Sequence, residues 1–259
     1  MRGNRKIRLL IGAGIILFAV VKYCASAEKN PYTGEKQHIA LDEKEEIALG
    51  LQAMPQMVAQ HGGLYPSNEL QSLVDEVGMR LVNNSIAKDT GYQYEFHLLA
   101  DEQTINAFAL PGGQIFITYA LFSKLDTQDQ LAGVLGHEIG HVVARHSSER
   151  MAQQGLTQGI LQGVAVGIDP NTAQGAAAIA QMINMNYGRD DELQSDDLGV
   201  LFMMQSGYQP EEMIGVMEVL KAAAGPNRVP ERMSTHPDPE NRVEKIKESI
   251  ERYRKELSQ

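Results

Sequence analysis

Tryptophan is absent from this chain of 259 residues, and cysteine occurs once, at Cys24. A single thiol rules out an intrachain disulfide, so stability must come from packing or from a bound metal. Basic residues are outnumbered, with 23 Lys and Arg against 33 Asp and Glu, and the formal net charge is -10. Binding to nucleic acid needs a basic stripe that meets phosphates, so no nucleic-acid partner is expected. No internal repeat of solenoid length is present, which excludes a tandem-repeat scaffold. What remains is a globular composition in a chain long enough to bury a substantial core.

The N-terminus opens with Arg2, Arg5, Lys6 and Arg8 before an apolar run from Leu9 to Val21. That run is short for a membrane span and suits the apolar region of a secretory signal. Ala25-Ser26-Ala27 supplies a small-x-small cleavage pattern, so export with cleavage after Ala27 is expected. Cleavage would remove five positive charges (Arg2, Arg5, Lys6, Arg8, Lys22), taking the net charge from -10 to -15, and would remove Cys24 as well. The alternatives are a retained N-terminal membrane anchor or lipidation at Cys24. Residues 28–259 are expected to form a single domain.

Asn30-Pro31-Tyr-Thr-Gly34 reads as a turn-rich linker. Asp42 looks like the N-cap of a helix with Glu43, Glu45 and Glu46 in its first turn and Ile47, Leu51 and Met54 on its apolar face. Pro55 should kink or end it. Glu69 to Asn83 predicts a second helix, carrying Leu70, Leu73, Val74, Val77 and Leu81. Tyr92 to Leu99 alternates as a strand does, with His97 on the polar face. Two short strands then flank Pro111-Gly112-Gly113. They either complete a small sheet or, with Asn106, Ala107 and Phe108 at an edge, pair with an extended peptide substrate.

Leu131 to His146 reads as one helix, capped by Thr127 and apolar at Leu131, Val134, Leu135, Ile139, Val142 and Val143. It contains His137-Glu138-x-x-His141. On a helix the two histidines lie one turn apart on one face, within reach of one metal ion, and Glu138 lies beside them to meet a water. A third protein ligand is needed, because catalytic zinc usually has three and keeps one position open. His146 follows five residues after His141, which on a continuous helix turns it away from that face, so it reads as structural. Residues 155–185 predict two small-residue helices broken at Asp169-Pro170. The next helix has a core stripe of Leu193, Val200, Leu201 and Met204, with Glu192 and Asp196 one turn apart. There Glu192 could complete a two-histidine, one-glutamate zinc site, and Asp196 could orient a ligand histidine.

The ordered set His137-Glu138-x-x-His141, Glu192-x-x-x-Asp196, then Ser234-Thr-His236-Pro237 and Arg242, resembles the M48 zinc metallopeptidases. Asn106 to Gly113 also resembles that family's segment upstream of the zinc helix. The resemblance implies one Zn2+ per chain on His137, His141 and Glu192, with Glu138 as general base. It implies Asp196 as a carboxylate behind the ligands, Arg242 as its support, and His236 near the metal, either stabilising the oxyanion or filling the open position in a resting form. Ser195 departs from the alanine many relatives carry there. The implied fold is α+β, a mainly helical zincin of the gluzincin type with a small β-sheet beside the zinc-binding helix. The implied function is a zinc endopeptidase of the bacterial periplasm, free or membrane-associated, that cleaves misfolded or misassembled envelope proteins. The alternative is a chaperone-like or latent factor with a closed zinc site. The chain lacks the several long apolar helices of the multi-span members. A charged helix from Asn241 to Leu257 ends it, so no tetratricopeptide-repeat domain is expected.

Overall fold

A computed structural model describes residues 2–167, 188–223, 236 and 241–258 of the chain. In order, these form helix α1 (Arg2–Ala25), strands β1 (Ala27–Lys29) and β2 (Lys36–His38), and helices α2 (Glu43–Gln60) and α3 (Asn68–Asn83). Strands β3 (Glu95–Leu99), β4 (Ala107–Ala109) and β5 (Gln114–Thr118) follow, then the short α4 (Tyr119–Phe122), α5 (Gln128–Val143) and α6 (His146–Gly167). The remaining described helices are α7 (Arg189–Gln205), α8 (Glu212–Ala223) and α9 (Arg242–Leu257). This is the expected α+β architecture, mainly helical with a small sheet beside α5. The second small-residue helix, expected beyond Pro170, lies outside the described residues.

The described residues group into two compact units. The first holds α1, β1, β2 and α6 from Ser147 onward; the second holds His146 and the other elements. In the first unit the Asn30–Gly34 linker is the turn of a hairpin, with Ala27 paired to His38 and Lys29 to Lys36. Asn30 Oδ1 accepts from Tyr32 N and Thr33 N, which shapes that turn. Helix α1 packs on α6 through small residues. A Cβ placed on Gly159 would fall 2.3 Å from the Ala19 Cβ, and one on Gly163 would fall 2.6 Å from the Gly12 carbonyl oxygen. Arg8 Nε donates to the Val166 carbonyl at 3.0 Å. Most apolar side chains of α1 face outward, Leu10 and Phe18 among them. Residues Lys6–Ala25 are long and apolar enough to cross a membrane, by length and composition.

In the second unit α2 starts with a full capping box between Asp42 and Glu45. Pro55, expected to kink or end α2, does not end it, and the helix runs on to Gln60. Pro55 and Leu51 are both exposed, so the carbonyl that loses its N–H partner can be hydrated. The most buried side chain of α2 is not apolar: Glu46 is buried while Leu51 is 40% exposed. Ser67 caps α3, which buries Val74, Val77 and Leu81.

The sheet has the order β3-β5-β4. The central β5 is buried along its whole length, as a strand covered on both faces must be. It pairs in parallel with β3 (Phe96 with Ile115, Leu98 with Ile117) and antiparallel with β4 (Phe108 with Phe116). The turn between β4 and β5 needs its glycines, because Gly112 and Gly113 adopt φ of 81° and 108°. The first expected strand is shorter than its alternation predicts, since Tyr92 leaves the sheet to donate its hydroxyl to Glu46.

Helix α5 is the centre of this unit. Thr127 Oγ1 accepts from Gln130 N at 3.1 Å, a cap that contributes about 1 kcal/mol. Every residue from Gln130 to Val143 is buried. Side chains such as Leu135 and Ile139 each contribute about 1.5–3 kcal/mol on burial. The helix does not continue to His146 as expected. It ends at Val143, and Arg145 takes a left-handed φ of 59° before α6 begins. Such a conformation costs a non-glycine residue about 1–3 kcal/mol. The buried Glu46 carboxylate holds it, accepting from Arg145 Nε at 3.2 and 3.3 Å.

Candidate metal centre

Glycine sets how closely α5 and α7 approach. A Cβ on Gly140 would fall 2.9 Å from the Ser195 carbonyl oxygen, and one on Gly136 would fall 3.4 Å from Gly199 Cα. The helices therefore cross backbone to backbone, with small Ser195 and Gly199 opposite. This crossing turns an unexpected face of α7 inward. Of the predicted stripe only Val200 is buried; Leu193, Leu201 and Met204 are half-buried. The buried face carries Glu192, Ser195, Asp196, Gly199, Val200, Phe202 and Met203. Buried carboxylates are tolerated there because α5 and α9 offer them partners.

Four side chains converge: His137 and His141 from α5, Glu192 from α7, and His236. All are buried, and one donor atom of each lies within 4.8 Å of the others. His137 Nε2 is 3.0 Å from His141 Nε2, 3.3 Å from His236 Nδ1 and 3.4 Å from Glu192 Oε2. Glu192 Oε1 is 3.4 Å from His141 Nε2 and 2.9 Å from His236 Nδ1. Donors at ~2.0–2.1 Å from a tetrahedral zinc stand about 3.3–3.4 Å apart, so these separations fit one ion. The chemistry fits as well, since imidazole and carboxylate are zinc ligands. Glu192 Oε2 is buried and makes no hydrogen bond among the described residues, although His137 Nε2 and a terminal nitrogen of Arg242 each lie 3.4 Å from it. Glu138 is fully buried beside this set, its Oε1 3.8 Å from His236 Nε2.

Behind the donors, Asp196 Oδ1 accepts from His137 Nδ1 at 2.8 Å. Arg242, at the start of α9, clamps the same carboxylate with Nε at 2.6 Å and a terminal nitrogen at 2.9 Å. Burial works to raise the Asp196 pKa, but Arg242 and His137 outweigh it and bring it down to about 2. Burial likewise opposes charge on Glu192, yet His236 and His137 hold its carboxyl far below the usual range. For His137 burial is outweighed by Asp196 and Glu192, so its ring is raised. His141 is lowered, by burial first and then by the charge of His137.

A sequence model of peptidase family M48 matches residues 68–250. The chain belongs to peptidase family M48. Among its relatives is the β-barrel assembly-enhancing protease of Escherichia coli (strain K12), 27% identical over 185 residues, which cover 67% of this chain and 37% of that one. The Yersinia pestis protein of the same name is 30% identical over 82% of this chain and 45% of its own length. The mitochondrial metalloendopeptidase OMA1 of Schizosaccharomyces pombe is 28% identical over 93% of this chain and 69% of its own. The chain thus spans less than half the length of the β-barrel assembly-enhancing proteases it matches.

The structure brings together His137, Glu138, His141, Glu192, Asp196, His236 and Arg242. Asn106, Ala107 and Phe108 lie at the edge of the sheet, where β4 packs against α5. His97 is a satisfied histidine, 2.8 Å from Gln114 Oε1 and stacked on Phe116. His146 is not one of the four converging donors, but it does not point away from His141 as expected. The turn at Arg145 swings its ring back, and Nδ1 lies 2.9 Å from His141 Nδ1. Burial and the neighbouring His141 push the His146 ring down to about 3. Glu46, Tyr92, Arg145 and Gln194 had no functional reading in the sequence. An arginine closing an otherwise apolar helix was the available sign of a break there.

Proposed function

We propose that the chain is a zinc-dependent endopeptidase that hydrolyses polypeptides of the bacterial envelope in protein quality control. The observation that carries this is the buried His137, His141 and Glu192 donor set at the spacing of one tetrahedral ion, with Glu138 on the same helix. When bound, zinc would polarise the scissile carbonyl and acidify a water in the site. Glu138 takes the proton from the attacking water and delivers it to the departing amine. Asp196, fixed by Arg242, holds the His137 ring by its Nδ1, which would leave the Nε2 lone pair for the metal. An extended substrate adds to the edge of the sheet along β4. Asn106 Oδ1, buried there without a hydrogen-bond partner among the described residues, supports a contact with a substrate amide. The names of the bacterial relatives support envelope polypeptides as substrates. The packing of α1 on α6 supports its retention as an anchor rather than its removal after Ala27. N-terminal sequencing of the exported protein decides this; a start at Glu28 removes the anchor.

The central test is Glu138→Gln. Zinc content should match that of the unaltered chain while cleavage of an unfolded protein such as casein is lost. Undiminished proteolysis by the purified variant would refute the proposed role of Glu138. A specific observation favours a resting, closed form: His236 Nδ1 lies among the donors, 2.9 Å from Glu192 and 3.3 Å from His137. His236 would then occupy the fourth position beside a bound metal and would have to leave it before substrate enters. Under closure His236→Ala raises the cleavage rate, whereas a role in stabilising the oxyanion predicts that it falls.

A further inference from the structure

We propose that His146 is a positioning residue for His141, fixing its tautomer through a directed relay that starts at Gln194. The inference rests on the metal reading of the site and deepens it. His141 turns Nε2 toward the other donors, 3.0 Å from His137 Nε2 and 3.4 Å from Glu192 Oε1. An imidazole nitrogen that binds a metal must present a lone pair, so the His141 proton belongs on Nδ1. That N–H needs an acceptor, and it faces His146 Nδ1 at 2.9 Å. Two imidazole nitrogens can share a hydrogen only if one is bare. His146 is kept bare at Nδ1 from its other side. Its Nε2 lies 2.7 Å from Gln194 Oε1, an amide oxygen that can only accept. The proton of His146 is therefore drawn to Nε2, so that His141 Nδ1–H donates to His146 Nδ1 and His146 Nε2–H to Gln194 Oε1, while the Ser195 hydroxyl, 3.4 Å from His146 Nδ1, can donate to the same bare nitrogen.

The two ligand histidines are thus oriented by different chemistry. His137 gives its Nδ1 proton to a carboxylate, Asp196, at 2.8 Å; His141 gives its own to a neutral ring. Glu138, Glu192 and Asp196 already bring three carboxyls into a buried site, all at most 2% exposed. A fourth anion behind His141 would add repulsion at low dielectric, whereas an imidazole accepts the same hydrogen bond without charge. Among the described residues, the charged groups facing His146 include Asp191, 3.9 Å from its Nε2, and the partners of His141 already named. The left-handed Arg145, held by Glu46, makes the relay geometrically possible.

The test measures metal affinity and site spectroscopy rather than activity. The full chain is stripped of metal, then titrated with Zn2+ against a chromophoric chelator and with Co2+ for its visible absorption bands. His146→Leu removes the acceptor and should weaken both metals 10- to 100-fold and change the Co2+ spectrum, the usual scale for a lost outer hydrogen bond. His146→Asn, whose amide oxygen can accept from His141, should restore most of the affinity. If His146→Leu does not fold, half-buried Gln194→Met interrupts the same row from its far end and should weaken binding in the same direction. Wild-type affinity and spectrum in His146→Leu, or in Gln194→Met where only that variant folds, would overturn the relay. Failure of His146→Asn to bind better than His146→Leu would also overturn it. Failure of the unaltered chain to bind Zn2+ or Co2+ would overturn the metal reading itself, and the relay with it.

Discussion

Replacing Gly140 by alanine sets two effects of known size against each other. In a helix interior alanine is favoured over glycine by about 1 kcal/mol, so propensity alone predicts a more stable protein. Packing predicts the reverse. The new Cβ would fall 2.9 Å from the Ser195 carbonyl oxygen and 3.0 Å from Ser195 Cα. Both are backbone atoms that cannot rotate away, so α7 must shift by several tenths of an ångström. Overpacking of this kind costs about 1–3 kcal/mol, and the net effect is a loss of about 1 kcal/mol. For a chain of this size that lowers Tm by ~2–4 °C. The shift also moves Glu192 and Asp196 relative to His137 and His141, and constellations of this kind tolerate about 0.5 Å. Zinc affinity should therefore fall at least 10-fold.

Gly136→Ala is the matched control on the same helix. Its Cβ would meet Gly199 Cα and carbonyl oxygen at 3.4 Å, an ordinary contact. Propensity then wins, with Tm rising by up to ~2–4 °C and zinc affinity unchanged. Thermal unfolding by circular dichroism, with zinc and with chelator, together with competition titration of the metal, reads both variants. A Gly140→Ala protein that gains stability as Gly136→Ala does, and holds zinc as tightly as the unaltered chain, would refute the argument that glycine sets the α5–α7 approach.

Arg242→Gln loosens the Asp196 carboxylate and should lower zinc affinity 10- to 100-fold in equilibrium dialysis, with the helix content unchanged. Stabilisation by zinc should grow with pH: the raised His137 ring supports the metal-free fold below its unfolded pKa near 6.5, loses that contribution as pH rises through its folded value, and must shed its proton to bind metal. The rise in Tm on adding zinc should therefore be larger at pH 8 than at pH 6, and an equal rise would contradict the assignment. At Asp101 burial is outweighed by hydrogen bonds from Thr104, His61 and Gln103, which hold its carboxyl below the usual range. Asp101→Asn should lower the urea midpoint at pH 6, by a difference that begins to shrink below about pH 4, where the unfolded chain's carboxyl protonates, and is lost as pH falls through the lower folded value. Gly159→Leu should destabilise the full chain in detergent by forcing α1 from α6, yet be silent in a chain starting at Glu28.

The donors were legible because each sits on a regular helix. His137 and His141 are four residues apart on α5, and Glu192 and Asp196 are four apart on α7, so ordinary helical periodicity put each pair on one face. The same periodicity misplaced His146. Five residues on an unbroken helix turn a side chain about 140° away, and the ring returns to His141 only because the helix stops at Val143. The cause of that stop lies 99 residues upstream, in a glutamate that reads locally as a favourable charge near the N-terminus of α2. Burial of Glu46 follows from its pairing with Arg145 and Tyr92, which no local pattern encodes. The buried face of α7 escaped for a related reason. An amphipathic reading assigns acidic residues to solvent, but Glu192 and Asp196 find histidines and Arg242 inside, so Leu193, Leu201 and Met204 of the apolar stripe are left half-buried. Both failures have one physical origin: a charge is costly to bury only while it is unpaired, and its partner here comes from a distant segment. A polar residue that breaks an otherwise consistent pattern next to a recognised motif, as Arg145 and His146 do beside His141, is therefore the place to look for the contacts that hold the motif in shape.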